Sequence, residues 1–300
     1  MQLLYEPVSS HEEALKIIKQ RCEEESTYYV EAVLIDDNRG VVISGKLSEK
    51  TDVPIRTYSH ASDAWFYMQA EDVAKSEKLH EELVPIADYL FRYNRGAFWM
   101  GEYVLTVLHV PHHKLFKFFL NPWMNTRKCY DAMHDPNISQ EYFIQDFYVP
   151  FEKTLEFLEY SNDNLGIYPI WLCPMKPTRQ AQNLSPHFGT ANMLVDVGIY
   201  GQSEKYLKDP VGMNLAFEDY AHSMNARKML YAHAYYSEED FWNIYDHQWY
   251  MELRKKYHAI PGFPEVWDKV HVTPHKFERH LFKGMLKLAL ESLEGKNLNK

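Results

Sequence analysis

Apolar and polar positions along the chain recur at two periods, two for strands and 3.6 for helices, and the switches between them mark out the elements. Residues 3–5 read as a short strand that Pro7 ends. Ser10 and Glu13 have the spacing of a capping box, in which a hydroxyl and a carboxylate each satisfy an orphan backbone donor. Leu15, Ile18 and Cys22 then lie on one helical face. Residues 28–35 and 41–47 are β-rich runs joined by Asp36-Asp37-Asn38-Arg39-Gly40, the chemistry of a tight turn. Residues 48–141 lose this regularity, and Trp65, Phe66, Tyr67, Phe91, Tyr93, Phe98, Trp99 and Tyr103 crowd an aromatic-rich, irregular insertion. Within it, residues 114–123 are apolar with interspersed Lys; this fits a buried aromatic layer or, over 104–124, peripheral contact with a membrane surface.

From residue 142 the pattern is regular again. Residues 143–148 read as a strand, and Pro150 suits the first turn of a helix with the stripe Phe151, Leu155 and Leu158, which Gly166 ends. A buried strand over 167–173 stops at Pro174, and a polar loop over 176–190 leads to a strand over 193–200. A helix over 211–226 and a strand over 229–235 follow, and on that strand Tyr231 and His233 share one face. The order β-α-β-β-α-β predicts an α+β fold, a ferredoxin-like antiparallel sheet with helices on one face. Ser237, with Glu238, Glu239 and Asp240 behind it, caps a helix whose Phe241, Tyr245 and Trp249 share a face, and residues 276–294 read as a last amphipathic helix. The chain thus divides at 1–47 (a β-α-β-β start), 48–141 (the insertion), 142–236 (the β-α-β-β-α-β unit) and 237–300 (a helical return and tail).

Composition narrows the function classes. The 42 acidic against 32 Lys and Arg residues, a net charge of −10, argue against a nucleic-acid partner, which needs a cationic surplus. Trp, Tyr and Phe make up 15% of the chain, whereas glycine is scarce at 12 of 300. Cys22, Cys129 and Cys173 form no CxxC pair, which excludes a disulfide framework and a zinc knuckle. No stretch has the makeup of a signal peptide or a membrane-spanning segment. Gly40-Val-Val-Ile-Ser-Gly45-Lys46 has phosphate-loop spacing, but its Val-Val-Ile interior favours the hairpin. His109, His112 and His113 surround Pro111 with no carboxylate at ligand spacing, and His275 and His280 fare no better, so no metal site is expected. No G-x-S-x-G elbow and no G-x-G-x-x-G turn occurs. Cys173, between Leu172 and Pro174, reads as a structural thiol.

Several rare strings carry a resemblance. Tyr168-Pro-Ile-Trp-Leu-Cys-Pro174, Asp196-Val-Gly-Ile-Tyr-Gly201, Met229-Leu-Tyr-Ala-His-Ala-Tyr-Tyr236 and Phe241-Trp-Asn-Ile-Tyr-Asp246 occur in order. Tyr5-Glu-Pro-Val8, Arg92-Tyr-Asn-Arg-Gly-Ala-Phe-Trp99, Ile144-Gln-Asp146 and Phe263-Pro-Glu-Val-Trp-Asp-Lys269 add to them. Up to about residue 270 the chain resembles the C-terminal part of the delta-24-sterol reductases, FAD-linked oxidases of the vanillyl-alcohol-oxidase type. The resemblance implies a substrate-binding cap on a ferredoxin-like sheet, FAD as cofactor, NADPH as reductant, a sterol or other lipid as substrate, and a place on the cytoplasmic side of the endoplasmic reticulum membrane. It implies Tyr231 and His233 as catalytic proton donors, Asn192 and Tyr231 as flavin-facing, and Tyr168, Trp171 and Cys173 as lining of the substrate slot. The FAD-binding half is then expected on another polypeptide stretch or subunit, which makes this chain a fragment or a cap-only protein. The alternative is a non-catalytic cap-only module that binds a sterol or a partner.

Overall fold

The computed structural model describes residues 1–49, 53–102, 126–127, 141–178, 184–187 and 191–272. They fall into two compact units that divide between Tyr142 and Phe143. The first unit runs β1 (Gln2–Val8), α1 (His11–Glu23), β2 (Tyr29–Asp36), β3 (Arg39–Lys46), α2 (Phe66–Ser76) and β4 (His80–Leu83), followed by the short helix α3 (Ile86–Leu90). Its strands lie in the order β4-β1-β3-β2, all antiparallel. Ser10 caps α1 by accepting the Glu13 amide, and the Glu13 carboxylate reaches back to Ser9, one residue earlier than the expected box. Ala14, Leu15 and Ile18 bury the apolar face of α1. Pro7 does not end β1: it sits beyond residues 2–5, the part that β4 covers. Within the stretch expected to be irregular, α2 and β4 complete a β-α-β-β-α-β unit.

The second unit repeats that order. It runs β5 (Phe143–Pro150), α4 (Phe151–Asn164), β6 (Ile170–Met175), β7 (Leu194–Gly201), α5 (Pro210–Ser223) and β8 (Arg227–Lys228), with strand order β6-β7-β5-β8, again antiparallel. Numbered within its own unit, each sheet is 4-1-3-2. The expected α+β class therefore stands, with antiparallel sheets and helices. The helical face of the second unit is aromatic: Phe143 and Phe147 of β5 meet Phe157 of α4 and Phe217 of α5 at centroid distances of 5.2–6.4 Å. Gly166, at φ +61, ends α4 where a left-handed residue is required. Three short helices close the described chain: α6 (Glu238–Ile244), α7 (His247–Lys256) and α8 (Val266–Val270).

Three expectations are corrected. The strand over 229–235 reduces to Arg227–Lys228, after which the chain turns at Leu230 and Tyr231, so Tyr231 and His233 do not alternate along a strand. The helix from Ser237 breaks at Tyr245, which is buried with extended backbone, and Asp246 caps a second helix through the Trp249 amide. β6 runs through Pro174 to Met175 instead of stopping before it. The segment 104–124, His109, His112, His113, Cys129, His275, His280 and the helix over 276–294 lie outside the described residues.

The turn after β8 is held by charge. Lys228 Nζ and Glu218 Oε1 of α5 form a fully buried ion pair at 2.7 Å. Glu218 also accepts the Tyr235 amide at 3.0 and 3.1 Å, and Lys228 donates to the His233 carbonyl. The same carbonyl accepts from Gln145 Nε2 at 3.1 Å. The chain from 228 to 235 is thus folded back on one buried charge pair. Breaking a buried pair leaves an uncompensated charge, so Lys228→Met is expected to lower the unfolding free energy by about 3–5 kcal/mol in denaturant titration. The double variant with Glu218→Gln should lose less than the sum of the two single losses.

Candidate functional site

Period-two alternation divides the side chains of the second sheet between two faces. Phe143, Gln145, Phe147 and Val149 take the helical face, which leaves Ile144, Asp146 and Tyr148 on the other. The register pairs Asp146 with Gly198 and Tyr148 with Asp196, so Asp196, Gly198 and Tyr200 of β7 share that second face. Cys173 opposite Asp196 and Trp171 opposite Gly198 add β6 to it, and Arg227 opposite Tyr148 adds β8. The polar alternation of β5 and β7 therefore gathers two carboxyls and two phenols on one surface.

The turn after β8 brings a third phenol. Tyr200 Oη donates to Asp146 Oδ1, and Tyr231 Oη donates to Asp146 Oδ2. Tyr148 is hydrogen-bonded to Asp196, and its hydroxyl lies 3.4 Å from Met229 Sδ. Asp196 Oδ1 has no hydrogen-bond partner among the described residues. Both carboxyls are out of water, Asp146 at 3% and Asp196 at 5% exposure, whereas Tyr231 is 38% exposed. Tyr231 thus has a hydroxyl anchored on a buried carboxyl and a ring that reaches the surface. Gly198 makes the arrangement possible: a Cβ there would stand 2.4 Å from Tyr200 Oη and 2.8 Å from Asp146 Oδ1.

The electrostatics follow from burial. Burial pushes Asp146 up to about 6, against the phenol donors of Tyr200 and Tyr231 and the more distant Lys228 cation, which hold it down. Burial and the neighbouring Asp146 charge raise Asp196 well above the usual carboxylate range, against the Tyr148 hydrogen bond. Burial, and after it the Asp146 carboxylate, raises Tyr200 and Tyr231, so both stay neutral phenols at pH 7. His187 lies with its ring centroid 4.8 Å from that of Tyr148, and burial lowers its pKa. Arg227 is turned to the Ser185 and Ile244 carbonyls, at 3.2 and 3.1 Å.

Of the residues expected at the site, Tyr231, Trp171 and Cys173 belong to this face. Tyr168 turns instead to α4, where its hydroxyl donates to Asn162 Oδ1 at 3.2 Å. Asn192 is exposed in the bend that leads into β7. His233 lies beyond the turn, its carbonyl held by Lys228 and Gln145. The pattern reading assigned no site role to Asp146, Tyr148, Asp196 or Tyr200. Their signal was an acid and a tyrosine at period two, in strands otherwise made of buried apolar residues. Among the described residues no group of His, Cys, Asp and Glu is arranged to hold a metal, and no helix is long and apolar enough to cross a membrane.

Two outcomes test this geometry. Gly198→Ala is expected to cost about 1–3 kcal/mol, as overpacking does, and to separate Tyr200 from Asp146, seen in the tyrosine region of the near-ultraviolet spectrum. The folded pKa of Asp146 lies above its ordinary value of 3.8, so its contribution to stability is full below about pH 4 and is lost as pH rises through about 6. Denaturant titrations over that window should show the loss, and Asp146→Asn should make its slope shallower.

No protein-family model matches the chain. It is similar to the Delta(24)-sterol reductase of Homo sapiens, with 24% identity over 273 residues, 90% of this chain and 53% of that protein. The Mus musculus protein of that name is 26% identical over 274 residues, with the same shares. That of Pisum sativum is 28% identical over 273 residues, 80% of this chain and 47% of that protein. The likeness to delta-24-sterol reductases thus extends over 80–90% of the chain, which spans about half the length of the curated relatives it matches.

Proposed function

We propose that the chain is the substrate-covering part of a flavin-dependent delta-24-sterol reductase, and that the carboxyl–phenol face of its second unit meets the sterol side chain. The observation that carries this reading is Tyr231: a surface-reaching phenol anchored on a buried carboxyl, in a chain similar to sterol reductases over most of its length. The twofold β-α-β-β-α-β order with 4-1-3-2 strands supports a cap built on ferredoxin-like sheets. Reduction of the side-chain double bond adds a proton and a hydride. Protonation at the less substituted carbon 24 leaves positive character on tertiary carbon 25, where the hydride then goes. In this chain Tyr231, whose hydroxyl Asp146 holds and whose ring reaches the surface, is the proton-bearing group, and Trp171 and Cys173 on the same face of β6 are the lining that orients the chain of the sterol. His233 serves through its carbonyl, which fixes the turn that presents Tyr231.

Among the described residues, Gly40, Gly45, Gly96 and Gly198 do not fit the phosphate half of FAD. Such a cradle needs glycines that leave room for the ligand. At Gly40 that room is filled by Leu34, at Gly45 by Met1 and Leu3, at Gly96 by Trp65 and at Gly198 by Tyr200. In this reading FAD is held by polypeptide other than the described residues, NADPH is the reductant, and the work is done at the cytoplasmic side of the endoplasmic reticulum membrane. The filled glycines also favour a second reading, a cap-only module that binds sterol without turnover. Flavin-loaded protein containing this chain should reduce a delta-24 sterol with NADPH. Tyr231→Phe should lower kcat by roughly 100-fold or more with little change in KM, the usual weight of a positioned acid. A folded, flavin-loaded preparation that yields no product removes the reductase reading. A colourless chain that still binds sterol leaves the second.

A further inference from the structure

The buried carboxylates of the molecule are not alike in their company. Glu31 has Arg92 at 2.8 Å, Glu82 has His80 at 3.2 Å and Arg56 at 3.8 Å, and Glu218 has Lys228 at 2.7 Å. Asp146 and Asp196 are as deeply buried, yet neither takes part in a salt bridge among the described residues. The groups that face them are phenols and each other: Tyr148 on β5, Tyr200 on β7 and Tyr231 from the turn, with Cys173 on β6 and His187 near Tyr148. Arg227 donates to the Ser185 and Ile244 carbonyls, and Lys228 lies across the sheet on Glu218. Asp146 opposite Gly198 and Asp196 opposite Tyr148 are diagonal neighbours on adjacent strands, within reach of one another's field. Two carboxylates so placed, with the Lys228 cation at a distance and no cation in contact, do not both ionise near neutrality. Asp196 Oδ1, buried and without a partner, is the site that a retained proton suits.

We propose that Asp146 and Asp196 hold one proton between them at neutral pH and that this shared proton recharges Tyr231 as Tyr231 protonates a substrate carbon. This deepens the reductase reading and rests on it for the substrate. The double bond's π pair takes the Tyr231 proton: a C–H bond forms, the O–H bond breaks, and its electron pair stays on the phenolate oxygen. When the pair's proton is on Asp146, which is hydrogen-bonded to that oxygen, the carboxyl O–H bond breaks and the phenol O–H bond re-forms, so no phenolate stands beside a carboxylate. The pair is doubly ionised only while the cationic carbon stands beside it, and it regains a proton from solvent once the hydride has quenched that carbon. The cationic carbon is quenched by an external hydride donor of the reduced nicotinamide or flavin class, which supplies both electrons. A phenol alone is a weak acid for an alkene. Backed by a carboxyl pair with one proton to give, it does not have to end as a phenolate.

The test is a carbon-13 titration of the whole chain, labelled at the aspartate carboxyl carbons, with no sterol and no cofactor. One of the two signals, assigned by Asp146→Asn and Asp196→Asn, should keep its proton at pH 7. In Asp146→Asn the Asp196 titration should move down, because a like charge has gone. In Tyr231→Phe the Asp146 titration should move up, because a donor to its ionised form has gone. Both carboxyls titrating below about pH 5, or no response of Asp146 to Tyr231→Phe, overturns the proposal. Should an Asp→Asn variant fail to fold, the response to Tyr231→Phe identifies the Asp146 signal, and a wild-type titration in which no aspartate keeps its proton at pH 7 overturns the proposal. A pair that titrates as stated in a flavin-loaded protein inert toward delta-24 sterols keeps the shared proton and loses the sterol reading, so the two failures are told apart.

Discussion

The position of Tyr231 depends on an ion pair on the opposite side of the sheet. Lys228 and Glu218 are both fully buried, and a charge in that position is tolerated only with a partner and with its remaining hydrogen-bonding capacity used. The capacity is used on backbone: Glu218 takes the Tyr235 amide, and Lys228 takes the His233 carbonyl. Those bonds stop β8 after two residues and fold the following turn back over β5, which brings the Tyr231 hydroxyl to Asp146. A residue on a regular strand would have had its direction set by alternation alone. Here direction is set by charge burial, and the surface phenol and the buried carboxyl are joined as a consequence.

The first unit contains a contrasting case. Tyr5 and Tyr58 both donate to Glu82, at 2.7 and 2.5 Å, as Tyr200 and Tyr231 do to Asp146. There the resemblance stops. Both phenols of the first cluster are buried, Phe66 packs edge-on against Tyr58 at 5.1 Å, and His80 and Arg56 attend the carboxylate. That cluster is satisfied, neutralised and closed, and its work is structural. The cluster of the second unit lacks the cation, adds a second carboxyl and lets one ring reach the surface. The difference between them lies in charge compensation and access rather than in residue type.

Most of the fold was legible because period and punctuation agree with the tertiary structure. The hairpin of β2 and β3, the helix between β5 and β6 and the strand at β7 stand within a few residues of where Asp36–Gly40, Pro150, Gly166 and the apolar runs put them. What was not legible had non-local causes. α2 and β4 were hidden because Trp65, Phe66 and Tyr67 read as an aromatic cluster, whereas the Phe66 and Tyr67 rings are the buried face of a helix. The turn at Tyr231 was hidden because Met229 to Tyr235 has good strand propensity, and only the Lys228–Glu218 pair, ten residues apart in sequence, overrides it. At the site, Tyr231, Trp171 and Cys173 were named by resemblance and lie on the carboxyl–phenol face, Tyr231 from a turn and not from the strand expected for it. Asp146 and Asp196 were not paired because each is a single acid in its strand, and their meaning appears only when the register of β5 and β7 makes them neighbours.

Glycine usage ties these points together. Gly198 is spent on a close approach between a phenol and a carboxyl, Gly166 on a helix end, and Gly40 and Gly45 on side-chain packing around β3. At Gly40, Gly45 and Gly198 the protein's own side chains fill the room that a phosphate would need. A protein whose scarce glycines build hydrogen-bonded acid clusters, and whose aromatic residues build buried layers, is equipped to exclude water and to hold protons. Holding a dinucleotide asks for the opposite use of the same residue. The division of labour proposed for this chain, proton and substrate here and electrons elsewhere, therefore follows from what the glycines do as much as from what the tyrosines and aspartates do.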